Sequence, residues 1–565
     1  MNIGSTFMRL LVLSLLFQPL SLLAAIPDPV VGEHGMVASR SMIASQVGVD
    51  IMKQGGNAID AAVAVGFALA VTYPSAGNLG GGGFMVVRLE DGKVVTLDFR
   101  ETAPAAASRD MYLDEHGDVI KGQSTKTRKA SGVPGTVDGL LRVLEKHGTL
   151  SRQQVLAPAI KLAREGFVLN RDLAGQFKNQ LRFMKDYPAS MKSFSKNGEP
   201  YQAGDLWKQP DLAKTLERIS KKGSDGFYKG ETAKLLVSEM KRGLGLISKK
   251  DLAKYESKWR DPIKGTYRGY DIWGMAPPSS GGVLVVQMLN MLEPHDVRAM
   301  GWGSAALIHL MIEAERRAYA DRAEHLGDLD FVEVPLAKLT DKEYAQERMG
   351  DYSADKASDS EKIGAGSWPL ESRETTHYSV VDGKGNAVAC TTTLNWGYGN
   401  KIVVEGAGFL LNNEMDDFSV KANVPNTYGL LGRVANEIQP GKRMLSSMSP
   451  TIVSRDDELV LVTGSPGGST IITTVLQVVV NTIDHEMDIN DAVGLPRFHH
   501  QWKPNRIIFE PFAYSPDTRK LLEQRGHVDL MKSRWRLGDA NSILVKDGEL
   551  RGMSDPRNAG GAAGY

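Results

Sequence analysis

Threonines stand at both ends of one short stretch. Thr375 and Thr376 precede His377, and Thr391, Thr392 and Thr393 run up to Leu394 and Asn395. The residues between read as strand, turn, strand: Thr375 to Asp382 alternates polar and apolar side chains, Gly383-Lys384-Gly385-Asn386 is a turn cluster, and Ala387 to Leu394 is strand-like again. A hairpin closing symmetrically about Lys384 sets Thr375 opposite Thr393. It also puts Thr391 and Thr393 on one face and Cys390 on the other. Facing threonines make an ordinary cross-strand pair, and a hydroxyl is a weak nucleophile without a base. A threonine that becomes a chain N-terminus carries its own base, an α-amine with a pKa of ~7.7–8.0.

Other groups could hold a charged substrate. Glu414 and Asp417, in Phe409-Leu-Leu-Asn-Asn-Glu-Met-Asp-Asp-Phe418, can aim at one point from a turn or short helix. Such a pair could be the acid and base of a glycosidase, or metal ligands. No other metal-type cluster accompanies it, and the clustered aromatics of a sugar site are missing. Arg100 ends a hairpin of Phe84–Leu89 and Val94–Arg100, on the face of Thr96 and Asp98 and away from Val95, Leu97 and Phe99. An arginine there is ordinary surface, yet its fork also binds a carboxylate bidentately. Ser446 and Ser447, in Leu445-Ser-Ser-Met-Ser-Pro450, could suggest a serine hydrolase, but no Gly-x-Ser-x-Gly elbow surrounds them. Gly467 and Gly468, in Gly464-Ser-Pro-Gly-Gly468, stand where a strand gives way to a helix. The free N–H groups of a helix N-terminus suit a developing oxyanion, although the same residues also suit a plain tight turn.

Taken in order, these motifs resemble the γ-glutamyltranspeptidases, a family of N-terminal-nucleophile hydrolases, over nearly the whole chain from about Gly35 to Tyr565. Glu374-Thr-Thr-His-Tyr-Ser379 is similar to the family's self-cleavage junction. This implies that the Glu374–Thr375 bond is cut by the threonine hydroxyl and that the freed Thr375 becomes the nucleophile, with Thr393 orienting it. Asp98-Phe-Arg-Glu-Thr-Ala-Pro104 matches the motif whose arginine clamps the α-carboxylate of a glutamyl substrate. The resemblance implies that Ser446 and Ser447 donate to the same carboxylate. It further implies that Asn395, Glu414 and Asp417 accept from the α-ammonium, and that Gly467 and Gly468 hold the oxyanion. Many bacterial relatives carry glutamine at the position of Glu414, so this chain keeps an acceptor and changes the local charge. Lys421 to Arg443, with Tyr428 at the tip of Pro425-Asn-Thr-Tyr-Gly429, resembles a lid loop that covers the site in some bacterial members.

The resemblance implies an α+β fold, a stacked αββα sandwich built jointly by a large subunit (26–374) and a small catalytic subunit (375–565). Glutathione is the expected donor, water, amino acids and peptides are the acceptors, and no cofactor or metal is required. Two other readings remain open at this point. One is a β-lactam acylase on the same fold that releases glutaryl side chains, which would have no use for the ammonium-binding Asp417. The other is a non-catalytic periplasmic binding protein for γ-glutamyl peptides, which would stay uncut.

The elements that must position these groups can be read around them. Met36 to Ser39 is a short strand, Ser41 caps a helix to Gln54, and Asn57 caps an apolar, buried helix from Ala58 to Val71. The four glycines at 80–83 lack the Gly-Lys-Ser/Thr ending of a phosphate loop and mark a close approach of backbones. Strands run from Thr451 to Val453 and from Leu459 to Thr463, and a helix from Ser469 to Ile483. Ser304 caps a helix whose charges, Glu313 to Arg322, read as a solvated face with ion pairs. Residues 351–370, rich in Ser, Asp, Lys and Gly, read as a mobile segment before the cleavage site. Residues 110–300 show helical periodicity with loops and carry little functional signal.

Lys+Arg and Asp+Glu balance at 67 each, so no excess field draws nucleic acid or an anionic membrane. With 42% apolar residues the chain can bury a sizeable core, and its single cysteine excludes an intrachain disulfide. Residues 1–25, with Arg9 before an apolar run to Leu23 and then Ala24-Ala25, read as a secretory signal that leaves no stable membrane anchor. In a Gram-negative host the destination would be the periplasm.

Overall fold

The computed structural model describes residues 26–363, 375–421 and 434–565. The signal-like residues 1–25, Glu374, and Tyr428 with most of the 421–443 loop lie outside the described residues.

The hairpin forms with the register its turn dictates. Thr376 faces Thr392 and Val381 faces Ala387, a pairing centred on Lys384. Gly35–Ser39 flanks one side of this hairpin and Gly82–Arg88 the other. Gly561–Gly564, Val94–Asp98 and Lys258–Arg260 complete a seven-stranded sheet. A second seven-stranded sheet runs in the order Val30–Gly32, Glu549–Met553, Ser542–Lys546, Glu458–Thr463, Thr451–Arg455, Tyr270–Gly274, Ile263–Tyr267. Each sheet takes strands from both before and after residue 375.

Period-two alternation sorts the side chains into layers. Met36, Phe84, Val86, Ala389, Ile452, Val462 and Ile543 fill the space between the sheets. The other face of the first sheet presents Val37, Met85, Val87, Val388 and Cys390 to the helices Met42–Lys53, Ala58–Thr72 and Thr136–His147. The other face of the second presents Val453, Leu461 and Leu544 to the helices Gly281–Leu292, Ala305–His325 and Thr470–Ile483. The result is the helix–sheet–sheet–helix stack that the resemblance implied. Cys390 is a core residue, and burial pushes its thiol up to about 12.

Local signals explain the first helices. Ser41 accepts from the Ala44 N–H, and Asn57 forms a capping box with Asp60. Ala58–Thr72 is buried along its whole length. The glycine run does what its composition suggested: a Cβ on Gly81 would lie 2.0 Å from the Thr393 carbonyl oxygen, and one on Gly83 2.3 Å from that of Thr391.

Two expectations fail. The helix Ala305–His325 has no solvated charged face: Glu313, Glu315, Arg316, Arg317 and Arg322 are all buried. The charges were read by helical spacing alone, but the helix lies beneath other segments that supply partners. Glu313 pairs with Arg317 at 2.6 Å and with Arg316 at 3.4 Å. Residues 351–363, expected to be mobile, are fastened over this helix. Arg317 pairs with Asp351 at 2.6 Å, the Ser358 N–H donates to Glu313 at 3.1 Å, and the Trp502 indole donates to the Ser360 carbonyl at 3.0 Å. Their composition is polar because the partners they meet are buried charges. The remainder of 351–370 lies outside the described residues.

Candidate active site

Thr375 directly precedes the strand Thr376–Asp382, and Thr393 ends its neighbour. The register therefore brings the two hydroxyls together, with the Thr375 Oγ donating to the Thr393 Oγ at 3.4 Å. The Thr393 oxygen also accepts the Asn395 backbone N–H at 2.8 Å. Asn395 sits at φ 71°, a left-handed conformation that asparagine tolerates better than most residues. Its side chain donates to the Asn413 carbonyl at 2.8 Å, tying the hairpin end to the acidic turn. His377, two residues from Thr375, is fully buried between the Thr391 and Ser379 hydroxyls, at 2.9 and 3.1 Å. Burial pushes its pKa down to about 3, so it is no proton acceptor at neutral pH.

Glu414 and Asp417 lie on one short 3-10 turn and converge on Arg100. Arg100 Nη1 pairs with Glu414 and Nη2 with Asp417, while Glu101 stands 3.7 Å from Nη1. One guanidinium thus faces three carboxyl groups, Glu101 and Glu414 buried and Asp417 slightly exposed. Burial raises all three, Glu414 well above its usual range and Glu101 to about 7, against the pull of Arg100. Both Glu101 oxygens lack a hydrogen-bond partner. Arg322 adds a second guanidinium on the Asp417 side, so two cations stand against three carboxyl groups.

The serine loop forms the facing wall. The Ser446 carbonyl accepts from the Ser280 N–H and hydroxyl at 2.8 and 2.7 Å, which pins it to the Pro277-Pro-Ser-Ser-Gly-Gly282 turn. The Ser447 hydroxyl accepts from Arg322 at 3.3 Å. Arg322 belongs to the buried helix whose charges were read as solvated, and it lines the site. The glycine turn follows the strand Glu458–Thr463, with Gly467 at φ 138° and Gly468 at φ 59°, and Thr470 opens the next helix. Tyr319 anchors this turn by donating to the Ser469 carbonyl.

Arg100, Thr375, Thr393, Asn395, Glu414, Asp417, Ser446, Ser447 and Gly468 line one cavity of about 30 Å³, together with Arg322. Gly467 borders a second cavity, of about 310 Å³, that Thr375 also lines. Glu374 and Tyr428 lie outside the described residues. Among the described residues, no group of three or more His, Cys, Asp or Glu side chains could hold a metal ion, and no helix is long and apolar enough to cross a membrane.

The sequence reading missed Glu101 and Arg322. Glu101 directly follows Arg100 and could have been found by asking what balances a buried guanidinium. Arg322 gave no local signal, because only the packing of its helix reveals it.

Comparison with known proteins agrees with this geometry. The γ-glutamyltranspeptidase family model matches residues 44–565. The chain is 52% identical over 541 residues to a glutathione hydrolase proenzyme of Escherichia coli (strain K12), covering 95% of this chain and 93% of that protein. It is 38% identical over 533 residues to an acylase ACY 1 proenzyme of Pseudomonas sp. (strain V22), covering 93% and 92%. Among solved structures, a cephalosporin acylase from Bacillus halodurans superposes with a TM-score of 0.83 at 26% identity, over 97% of this chain and 99% of that one. With a family match over most of its length and an αββα fold shared with such enzymes, this chain belongs to the γ-glutamyltranspeptidase family of N-terminal-nucleophile hydrolases.

Proposed function

We propose that the chain is a glutathione hydrolase and γ-glutamyltranspeptidase that cuts itself between Glu374 and Thr375 and then uses Thr375 as its nucleophile. The freed α-amine takes the proton of the Thr375 hydroxyl, which attacks the side-chain amide carbonyl of a γ-glutamyl donor. Thr393 orients the hydroxyl, and the Gly467–Gly468 turn holds the oxyanion. The amine leaves, a γ-glutamyl ester remains on Thr375, and water or an amino acid or peptide amine resolves it. Arg100, Ser446 and Ser447 take the donor's α-carboxylate; Asn395, Glu414 and Asp417 take its α-ammonium. Residues 26–374 and 375–565 stay together as a heterodimer, residues 1–25 direct export to the periplasm, and 421–443 with Tyr428 cover the site.

The observation that carries this reading is the meeting of Thr375 and Thr393 in a cavity whose other wall is Arg100 with Glu414 and Asp417. Replacing Thr375 by alanine tests it: the precursor should remain one chain on a denaturing gel and be inactive toward γ-glutamyl anilides. Normal maturation and turnover by that variant would end the proposal.

The fold likeness to a cephalosporin acylase supports a second reading, release of glutaryl side chains. The surplus of carboxyl groups over guanidinium groups in the cluster favours a donor with an ammonium group. Faster cleavage of a glutaryl anilide than of its γ-glutamyl counterpart would reverse the choice.

A further inference from the structure

Arg322 lines the cavity that holds Thr375 and Arg100, yet the proposed chemistry gives it no task. It stands in the last turn of Ala305–His325 and is buried. Its guanidinium reaches two serines: Nε donates to the Ser280 hydroxyl at 2.9 Å and Nη2 to the Ser447 hydroxyl at 3.3 Å. Ser280 relays the bond, its own hydroxyl donating to the Ser446 carbonyl at 2.7 Å. One planar fork therefore fastens the serine loop at two successive residues, directly at Ser447 and through Ser280 at Ser446.

The direction of these bonds matters more than their number. An arginine has donors only, whereas a hydroxyl offers one hydrogen and accepts through its lone pairs. The Ser447 oxygen must accept from Arg322, so its single hydrogen is left for another acceptor. Among the described residues none takes it. Ser446 is in the same state, its hydroxyl oxygen accepting the Met448 backbone N–H at 3.1 Å. Both serines line the cavity. A hydroxyl that accepts from behind faces the cavity as a donor, and a cationic partner behind it polarises the O–H further.

Building on the proposed reading of Ser446 and Ser447 as partners of the donor's α-carboxylate, we propose that Arg322 is a positioning residue that sets donor specificity. By holding the Ser447 hydroxyl as a hydrogen-bond donor toward the cavity, it selects γ-acyl donors that carry an α-carboxylate. It touches no reacting atom and moves no proton. A lysine at this position keeps the charge but, lacking the fork, cannot serve Ser280 and Ser447 together.

The test compares γ-glutamyl p-nitroanilide with 4-aminobutyryl p-nitroanilide, which keeps the amine and lacks the α-carboxylate, on matured two-chain protein. Arg322→Met should lower the preference for the γ-glutamyl donor in kcat/KM by roughly tenfold, mainly through KM, as one charge-assisted hydrogen bond allows. Arg322→Lys should lose about threefold. In a Ser447→Ala background the same Arg322→Met change should cost the γ-glutamyl donor less than about threefold, because the two residues act on one bond. A merely structural arginine would slow both donors alike and leave their ratio at the native value, which overturns the proposal. So do additive losses with Ser447→Ala. A loss that persists in Ser447→Ala and vanishes in Asp417→Asn also overturns it, by assigning Arg322 to the ammonium side. If Arg322→Met does not mature, Arg322→Lys is carried through the same comparisons, and a native ratio in that variant overturns the proposal. Release of nitroaniline from the γ-glutamyl donor by the native protein reports separately on the parent reading: its absence defeats that reading, whereas an unaltered donor ratio in the variants defeats only the role of Arg322.

Discussion

The Thr393 hydroxyl oxygen accepts the Asn395 backbone N–H at 2.8 Å, so it is already fixed where Thr375 meets it. Removing the hydroxyl while keeping the shape, as in Thr393→Val, should leave the sheet intact and slow γ-glutamyl anilide turnover by about 10²-fold, the cost of a misplaced nucleophile. Steady-state kinetics on matured protein check this. Native kcat in that variant would remove Thr393 from the chemistry.

Asp417 and Arg100 share one buried cluster, so the effect of Asp417→Asn should depend on the donor. The γ-glutamyl anilide loses a partner for its ammonium and should suffer in KM by roughly tenfold to a hundredfold. A glutaryl anilide lacks that group and should be affected far less. Equal losses on the two donors would show that Asp417 acts through folding alone.

Buried neutral histidines make the protein acid-labile. His377 and His527 are both held at about 3, His377 by burial and His527 by burial and then by His309 and Arg316. Free histidine titrates near ~6.5. Between these values the unfolded chain binds protons that the folded one refuses, so their stability contribution is complete above pH 6.5 and is lost as pH falls toward 3. Each should cost about 2 kcal/mol between pH 7 and pH 5. The gap between urea midpoints at the two pH values should narrow for His527→Asn, with the His377 share remaining; an unchanged gap would contradict the assignment.

Glu313 neutralises Arg316 and Arg317 in the interior, and its carboxyl is lowered to about 2 although burial alone would raise it. Glu313→Gln leaves Arg316 short of a counter-charge and Arg317 with Asp351 alone, and should cost ~3–5 kcal/mol in urea denaturation at pH 7. A loss below about 1 kcal/mol would mean that water reaches this helix.

The central hairpin was legible because its register follows from one turn and a two-residue period, and those rules alone bring Thr375 to Thr393. The acidic turn and the glycine turn were legible because their spacing or conformation is local. The pairing of Arg100 with Glu414 and Asp417 was not. Spacing placed each group, but nothing in the sequence says that opposite charges meet each other across the site. The helix Ala305–His325 was misread for the same reason: an alternation of glutamate and arginine looks the same on a wet face and in a core. Glu101 and Arg322 became visible only once the packing was known.

The strand order has a mechanical corollary. Segments from before and after residue 375 are stitched together at three seams in one sheet (Gly35–Ser39 to Gly561–Gly564 and to Thr376–Asp382, and Gly82–Arg88 to Ala387–Thr393) and at two in the other (Val30–Gly32 to Glu549–Met553, and Tyr270–Gly274 to Thr451–Arg455). Pulling the halves apart would mean unzipping both layers at once, so neither piece has a separable life of its own. A chain break ahead of Thr375 would leave the two segments joined through both sheets.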